Sequence, residues 1–201
     1  MPSERILNKY YNEGAFNAPE RIGYMMSYIR QLKPLTEDEW RIWYINNVHD
    51  ENYIMNIAEE MRQSIPASYS VTVDDCHEYI IDVMFHRTFK GYNRENLALT
   101  YLRKFVAPNV QEAPKEWDTE YFIDFYIDKT DTHPLIGIQL KPDTFYYGNY
   151  QHVVDIEGKM QRFCEYFNAI AYVLQYDSAL TTDKDIVFQN PETIDDIKDN
   201  L

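Results

Sequence analysis

Cysteine, glycine and positive charge are all scarce in this chain of 201 residues, and each scarcity closes off a class of protein. The two cysteines, Cys76 and Cys164, stand far apart and in no metal-ligand spacing, which excludes a disulfide framework and a cysteine zinc site. Six glycines and no low-complexity tract leave no flexible linker. No apolar run approaches the roughly 18 residues that a membrane crossing needs. The N-terminal MPSERILNKYYNEG also lacks the apolar stretch of a secretion signal, so a cytoplasmic protein is expected. Lys and Arg total 19 against 33 Asp and Glu, a formal net charge of −14. As a whole, that balance opposes phosphate binding, which leaves a basic footprint. No Ser/His/Asp or Cys/His arrangement is present, and Asp74–Glu78 (DDCHE) lacks zinc spacing and reads as a helix start.

Apolar and aromatic side chains, by contrast, are plentiful. Hydrophobic residues make up 45% of the chain and aromatics 15%, with 18 tyrosines, enough burial to offset the chain entropy of folding. The charge is also uneven. Between His86 and Phe105, Arg87, Lys90, Arg94, Arg103 and Lys104 face Glu95 alone, whereas acids dominate beyond Gln175. A basic patch can therefore sit on an acidic molecule.

Residues 1–68 read as a helical N-terminal subdomain. Ile22, Met25 or Met26, Ile29 and Leu32 recur at helix spacing before Pro34, and Thr36–Glu39 reads as a capping box. Trp40, Trp43 and Tyr44 supply an aromatic face for core packing, and Tyr53–Gln63 forms a third helix that ends near Pro66. Residues 69–201 read as an α/β core. A helix is expected over Asn93–Phe105. A longer one carries Ile156, Met160, Phe163, Phe167, Ile170 and Leu174 as its buried stripe, and Lys184–Gln189 is expected to add a strand. The order of elements gives a three-layer α/β/α sandwich around a central mixed sheet.

Two stretches, Tyr121–Asp128 (YFIDFYID) and Leu135–Lys141 (LIGIQLK), alternate with a period of two. Side chains two apart share a strand face. Ile123, Phe125 and Ile127 therefore point one way and Asp124 and Tyr126 the other, while Ile136, Ile138 and Leu140 oppose Gln139 and Lys141. Paired as a hairpin, the two strands bring an acid, an amide and an amine to one surface backed by a hydrophobic core. Such a group suits metal-dependent phosphodiester chemistry.

The pattern Asp124, fifteen residues, Gln139, any residue, Lys141 resembles the PD-(D/E)xK nuclease superfamily. Ile123 replaces the motif's proline, and Gln139 replaces its second acid. The surroundings NAPERIGYMMSYIRQL, EDEWRIWY, HRTFKGYNRENLALTYLRKF and IGIQLKPDTFYY are together similar to the MjaI-type type II restriction endonucleases. The resemblance implies a restriction-endonuclease-like fold and Mg²⁺-dependent hydrolysis of double-stranded DNA by a homodimer, with CTAG as target. It implies that Asp124, the Gln139 side chain and the Leu140 carbonyl hold the cation, and that Lys141 orients or deprotonates the attacking water. Glu95 resembles a helix acid that supplements such sites. Glu120 competes for that role from the same strand face, about 13 Å from Asp124 if extended. Arg87, Lys90, Tyr92 and Arg94 are the candidate phosphate contacts, and Phe145, Tyr146, Tyr147 and Asn149 are candidates for reading bases. Two other readings are a repair or recombination nuclease of the same fold and an acidic DNA mimic that binds a nucleic-acid enzyme.

Overall fold

Capping residues set the helix boundaries in the first part of the computed structural model, which describes residues 4–147 and 150–201. Helices α1 (Glu4–Glu13), α2 (Pro19–Ile22), α3 (Met25–Leu32), α4 (Glu37–Asn47), α5 (Glu51–Ser64) and α6 (Val73–Ile81) follow one another. Thr36 caps α4 by accepting from the Glu39 amide at 3.2 Å. The Glu39 carboxylate accepts from the amide of Leu35 at 2.7 Å, so the expected capping box closes one residue early. A reciprocal box stands instead at α6. There Thr72 Oγ1 accepts from the Asp75 amide at 3.1 Å and Asp75 Oδ2 from the Thr72 amide at 2.8 Å, an arrangement that stabilises a helix start by about 1 kcal/mol. The DDCHE stretch is thus a helix start, as expected.

Residues Met1–Tyr92 form one compact unit and Asn93–Leu201 the other. The division falls well after residue 68 because α6 and the π-helical turn that follows it, Asp82–Arg87, pack into the helical core. Ile80, Met84 and Phe85 join Trp40, Tyr44, Ile54 and Met61 in one buried apolar cluster. The indole of Trp40 donates to the Met84 carbonyl at 3.2 Å, and the Tyr44 hydroxyl donates to the Ile22 carbonyl at 3.0 Å. The aromatic face of α4 is core, with its polar tips satisfied.

Helix α7 (Thr88–Phe105) starts earlier than expected because the π turn feeds straight into it. Then come β1 (Gln111–Glu112), α8 (Lys115–Tyr121), β2 (Phe125–Ile127), β3 (Leu135–Pro142), α9 (Tyr150–Phe167), β4 (Ala169–Tyr176) and α10 (Glu192–Asp199). The sheet order is β1-β2-β3-β4, antiparallel except for the parallel pair β3 and β4. On one face Phe125, Ile127, Ile136, Ile138, Leu140 and Leu174 pack with Ala98 and Leu102 of α7 and Ile194 and Ile197 of α10. On the other, Leu135, Ala171 and Val173 meet Trp117 of α8 and Ile156, Met160 and Phe163 of α9. The second unit is the expected three-layer arrangement around a mixed sheet.

Three expected elements differ. The strand read over Tyr121–Asp128 shrinks to Phe125–Ile127, because α8 runs to Tyr121 and Phe122 turns through the left-handed region (φ 55°). Asp124 then donates its N–H to Ile138 of β3 and gives its carbonyl to Ala113 beside β1. In a regular strand both groups point the same way, so the chain is rotated here. Ile123 consequently joins the α9 core, away from Phe125 and Ile127. The expected long helix, α9, stops at Phe167, and Asn168 (φ 49°) turns the chain into β4, so Ile170 and Leu174 are strand residues. Lys184–Gln189 forms no strand and touches β4 through one antiparallel bridge, Tyr176 to Phe188. Beyond it the Asn190 side chain accepts from the Gln175 amide at 2.7 Å and donates to the Val173 carbonyl at 2.9 Å, which satisfies an otherwise open sheet edge.

Candidate active site

Strand alternation on β3 puts Gly137, Gln139 and Lys141 on the α9 side of the sheet. A Cβ on Gly137 would lie 2.7 Å from the Phe163 ring and 2.9 Å from Ile123 Cδ1, so only glycine lets this segment lie against α9. Gln139 is 2% exposed. Burying an amide this deeply is costly unless its polar atoms are matched, and only part of this one is. Its Nε2 donates to Asp124 Oδ2 and, at 3.3 Å, to the Leu140 carbonyl. Its Oε1 is buried without a hydrogen-bond partner. Asp124 Oδ2 also accepts from the Leu140 amide at 2.7 Å, so the carboxylate extends the strand pairing where the β2 backbone has turned away.

The structure therefore brings Asp124, Gln139 and the Leu140 carbonyl to one point. Gln139 Nε2 occupies the position that faces both oxygens. Turning the amide by half a rotation exchanges nitrogen for oxygen without changing shape. Three oxygens would then face each other, an arrangement that a cation would hold together, while Nε2 would take the buried position where Oε1 has no partner. Among the described residues, no cluster of three or more His, Cys, Asp or Glu side chains could hold a metal. An oxygen set of one carboxylate, one amide and one backbone carbonyl is nonetheless a hard-cation set, and it fits magnesium, which keeps several of its waters.

Lys141, on the same face as Gln139, holds its ammonium 5.8 Å from the ring centre of Phe122 and 5.6 Å from that of Phe145. Glu95 reaches the same end of the sheet from α7, on the opposite face. There burial pushes the Tyr176 phenol up, the Arg94 guanidinium 5.0 Å from its ring centre opposes that shift, and Asp143 and Glu95 add to it. Tyr176 pairs in register with Pro142, next to Lys141. Glu120, expected on the strand face of Asp124, lies in α8 and lines a groove with Lys159 and Arg162.

The expected phosphate contacts have different surroundings. Arg87 is held by Asp82 at 2.6 Å and Glu4 at 2.7 Å, and Tyr92 is 8% exposed within the helical core. Lys90 is half-buried on α7, and Arg94 stacks on Tyr176 with its Nε buried and unpartnered. Asn149 and the side chains of Tyr146 and Tyr147 lie outside the described residues.

Asp124, Gln139 and Lys141 thus lie at one end of a mixed sheet with helices on both faces. The family model of the MjaI restriction endonuclease matches residues 4–174. The chain belongs to that family, and it is a type II restriction endonuclease that hydrolyses DNA phosphodiester bonds. Its substrate is double-stranded DNA, and restriction endonucleases generally use divalent cations. No curated protein and no solved structure matches the chain. No helix among the described residues is long and apolar enough to cross a membrane.

Proposed function

We propose that the protein is a Mg²⁺-dependent restriction endonuclease that works as a homodimer on a palindromic site, with CTAG as the expected target, and that Asp124, Gln139 and Lys141 form its catalytic centre. Two-fold symmetry in the enzyme matches two-fold symmetry in the site. The observation that carries the reading is the meeting of Asp124 Oδ2, the Gln139 amide and the Leu140 carbonyl at one buried point.

In this reading Asp124, Gln139 Oε1 and the Leu140 carbonyl hold the cation. When bound, Mg²⁺ supplies Lewis acidity toward the phosphate. Lys141 orients the attacking water, or takes its proton, and stabilises charge at phosphorus. The Phe122 and Phe145 rings beneath its ammonium confine the side chain to the site. Glu95, at the same sheet end, is the candidate for the negative charge lost with Gln139. Lys90 and Arg94 are the more available of the four expected phosphate contacts, since Arg87 is committed to two carboxylates and Tyr92 to the core. The nuclease core corresponds to the unit Asn93–Leu201.

Incubation with plasmid DNA carrying CTAG sites tests the reading. Discrete fragments, lost in chelator, are expected. A smear would favour a repair or recombination nuclease, and no cutting with any divalent cation would favour the DNA mimic.

A further inference from the structure

Beside Lys141 runs a cleft that the catalytic reading does not use. It has a volume of about 330 Å³ and is lined by Phe122, Val154, Asp155, Gly158, Lys159 and Arg162. Phe122 forms its wall toward the catalytic residues, because the Lys159 ammonium lies 4.2 Å from the ring centre while that of Lys141 lies 5.8 Å from the same centre. Two cations thus share one aromatic ring. Lys159 and Arg162 face a single lining carboxylate, Asp155, which leaves the cleft positive on a strongly acidic protein.

Gly158 is the second, independent observation. It sits inside the 18-residue helix α9, where glycine costs about 1 kcal/mol relative to alanine. At Gly137 tight packing explains the glycine. At Gly158 it does not, since a Cβ there would meet nothing within 4 Å. A helix position that faces an open cleft and carries no side chain leaves room for another molecule to approach the backbone closely.

We propose that this cleft seats the sugar-phosphate backbone of the DNA strand entering the catalytic centre, with Lys159 and Arg162 on consecutive phosphates and Gly158 giving clearance for the strand. The proposal rests on the endonuclease reading and deepens it by naming where the strand lies. The adjoining groove between α8 and α9 is a poorer candidate, because Glu120 and Glu165 offset Lys159 and Arg162 there.

The test is the salt dependence of binding to a duplex oligonucleotide, measured by fluorescence anisotropy in Ca²⁺ on the full-length protein. Lys159→Gln and Arg162→Gln should each lower the slope of log affinity against log salt by about 0.9. Lys198→Gln, on α10 across the sheet, should leave it unchanged. Gly158→Ala should raise Tm by about 2–4 °C while weakening duplex affinity at least fivefold. A stabilised Gly158→Ala protein with unchanged affinity, together with unchanged slopes for both charge variants, would overturn the cleft assignment while wild-type cutting left the endonuclease reading standing. Wild-type protein that neither binds nor cuts duplex DNA would overturn both.

Discussion

The buried amide of Gln139 donates to the carboxylate of Asp124, fifteen residues earlier in the chain. This contact ties β3 to the start of β2 where backbone pairing fails, and it gathers the groups that the endonuclease reading assigns to the cation. Stability and chemistry therefore meet in one pair, and variants at the two positions report on both.

Asp124→Ala and Lys141→Ala should each abolish cleavage, but with different effects on folding. Removing the Asp124 carboxylate strands the Leu140 amide and leaves the Gln139 Nε2 only its 3.3 Å bond to the Leu140 carbonyl, and an unmatched buried donor costs about 1–3 kcal/mol. Lys141 is only half-buried, so its loss should leave stability near wild type. Urea unfolding beside a plasmid-nicking assay separates the two, and full cleavage by either variant would refute the assignment.

Gln139→Glu should lower Tm without metal and raise it more than wild type when Mg²⁺ is added. A second carboxylate against Asp124 repels it when no cation is present and adds charge to the oxygen set when one is. Some cleavage should persist. Thermal melts across a Mg²⁺ titration give the result, and a smaller Mg²⁺-induced shift than wild type would show that Gln139 is not a ligand.

Gly137→Ala should destabilise the protein by about 1–3 kcal/mol, because the new methyl group enters the space held by Phe163 and Ile123. The added strain lies two residues from Gln139, so cleavage should fall as well. Denaturant midpoints and initial cleavage rates check both parts.

Asp75→Asn should weaken the protein near neutral pH and have no effect in strong acid. Hydrogen bonds from the Thr72 side chain and amide hold the Asp75 carboxyl below its ordinary range. A depressed folded value adds stability above the unfolded value of about 3.9, and that contribution disappears as pH falls through the folded value. Stability curves of the two proteins should therefore converge below about pH 4, and a gap that stays constant with pH would contradict the assignment.

How much of this was legible in the sequence depended on whether one periodicity or two fitted a segment. Leu135–Lys141 alternates strictly, and the structure keeps Ile136, Ile138 and Leu140 on one face, as read. Ile170 and Leu174 continue the helical stripe of α9 as well as they fit a strand, so β4 was hidden until the left-handed turn at Asn168 separated the two. Asn is one of the few residues that take this conformation readily, and it was the available signal. No such signal marked Phe122, a bulky residue with φ 55°, whose turn moved Ile123 to the opposite core and left Glu120 in a helix. Arg87 and Tyr92 were drawn in by composition. Charge and sequence proximity cannot show that Glu4 and Asp82 already hold the one, or that the helical core buries the other. Gly158, Lys159 and Arg162 lay unmarked on the polar side of an amphipathic helix. Only the placement of Phe122 showed that they border the face that carries Lys141.

The most direct test of the central claim is a crystal of the protein soaked in Mn²⁺ as a Mg²⁺ substitute and measured for anomalous scattering. A peak is expected about 2.0–2.3 Å from Asp124 Oδ2, the Leu140 carbonyl and a Gln139 Oε1 turned toward it. A cleavage-active crystal form with its Mn²⁺ bound elsewhere, and the Gln139 amide nitrogen still against Asp124, would contradict it.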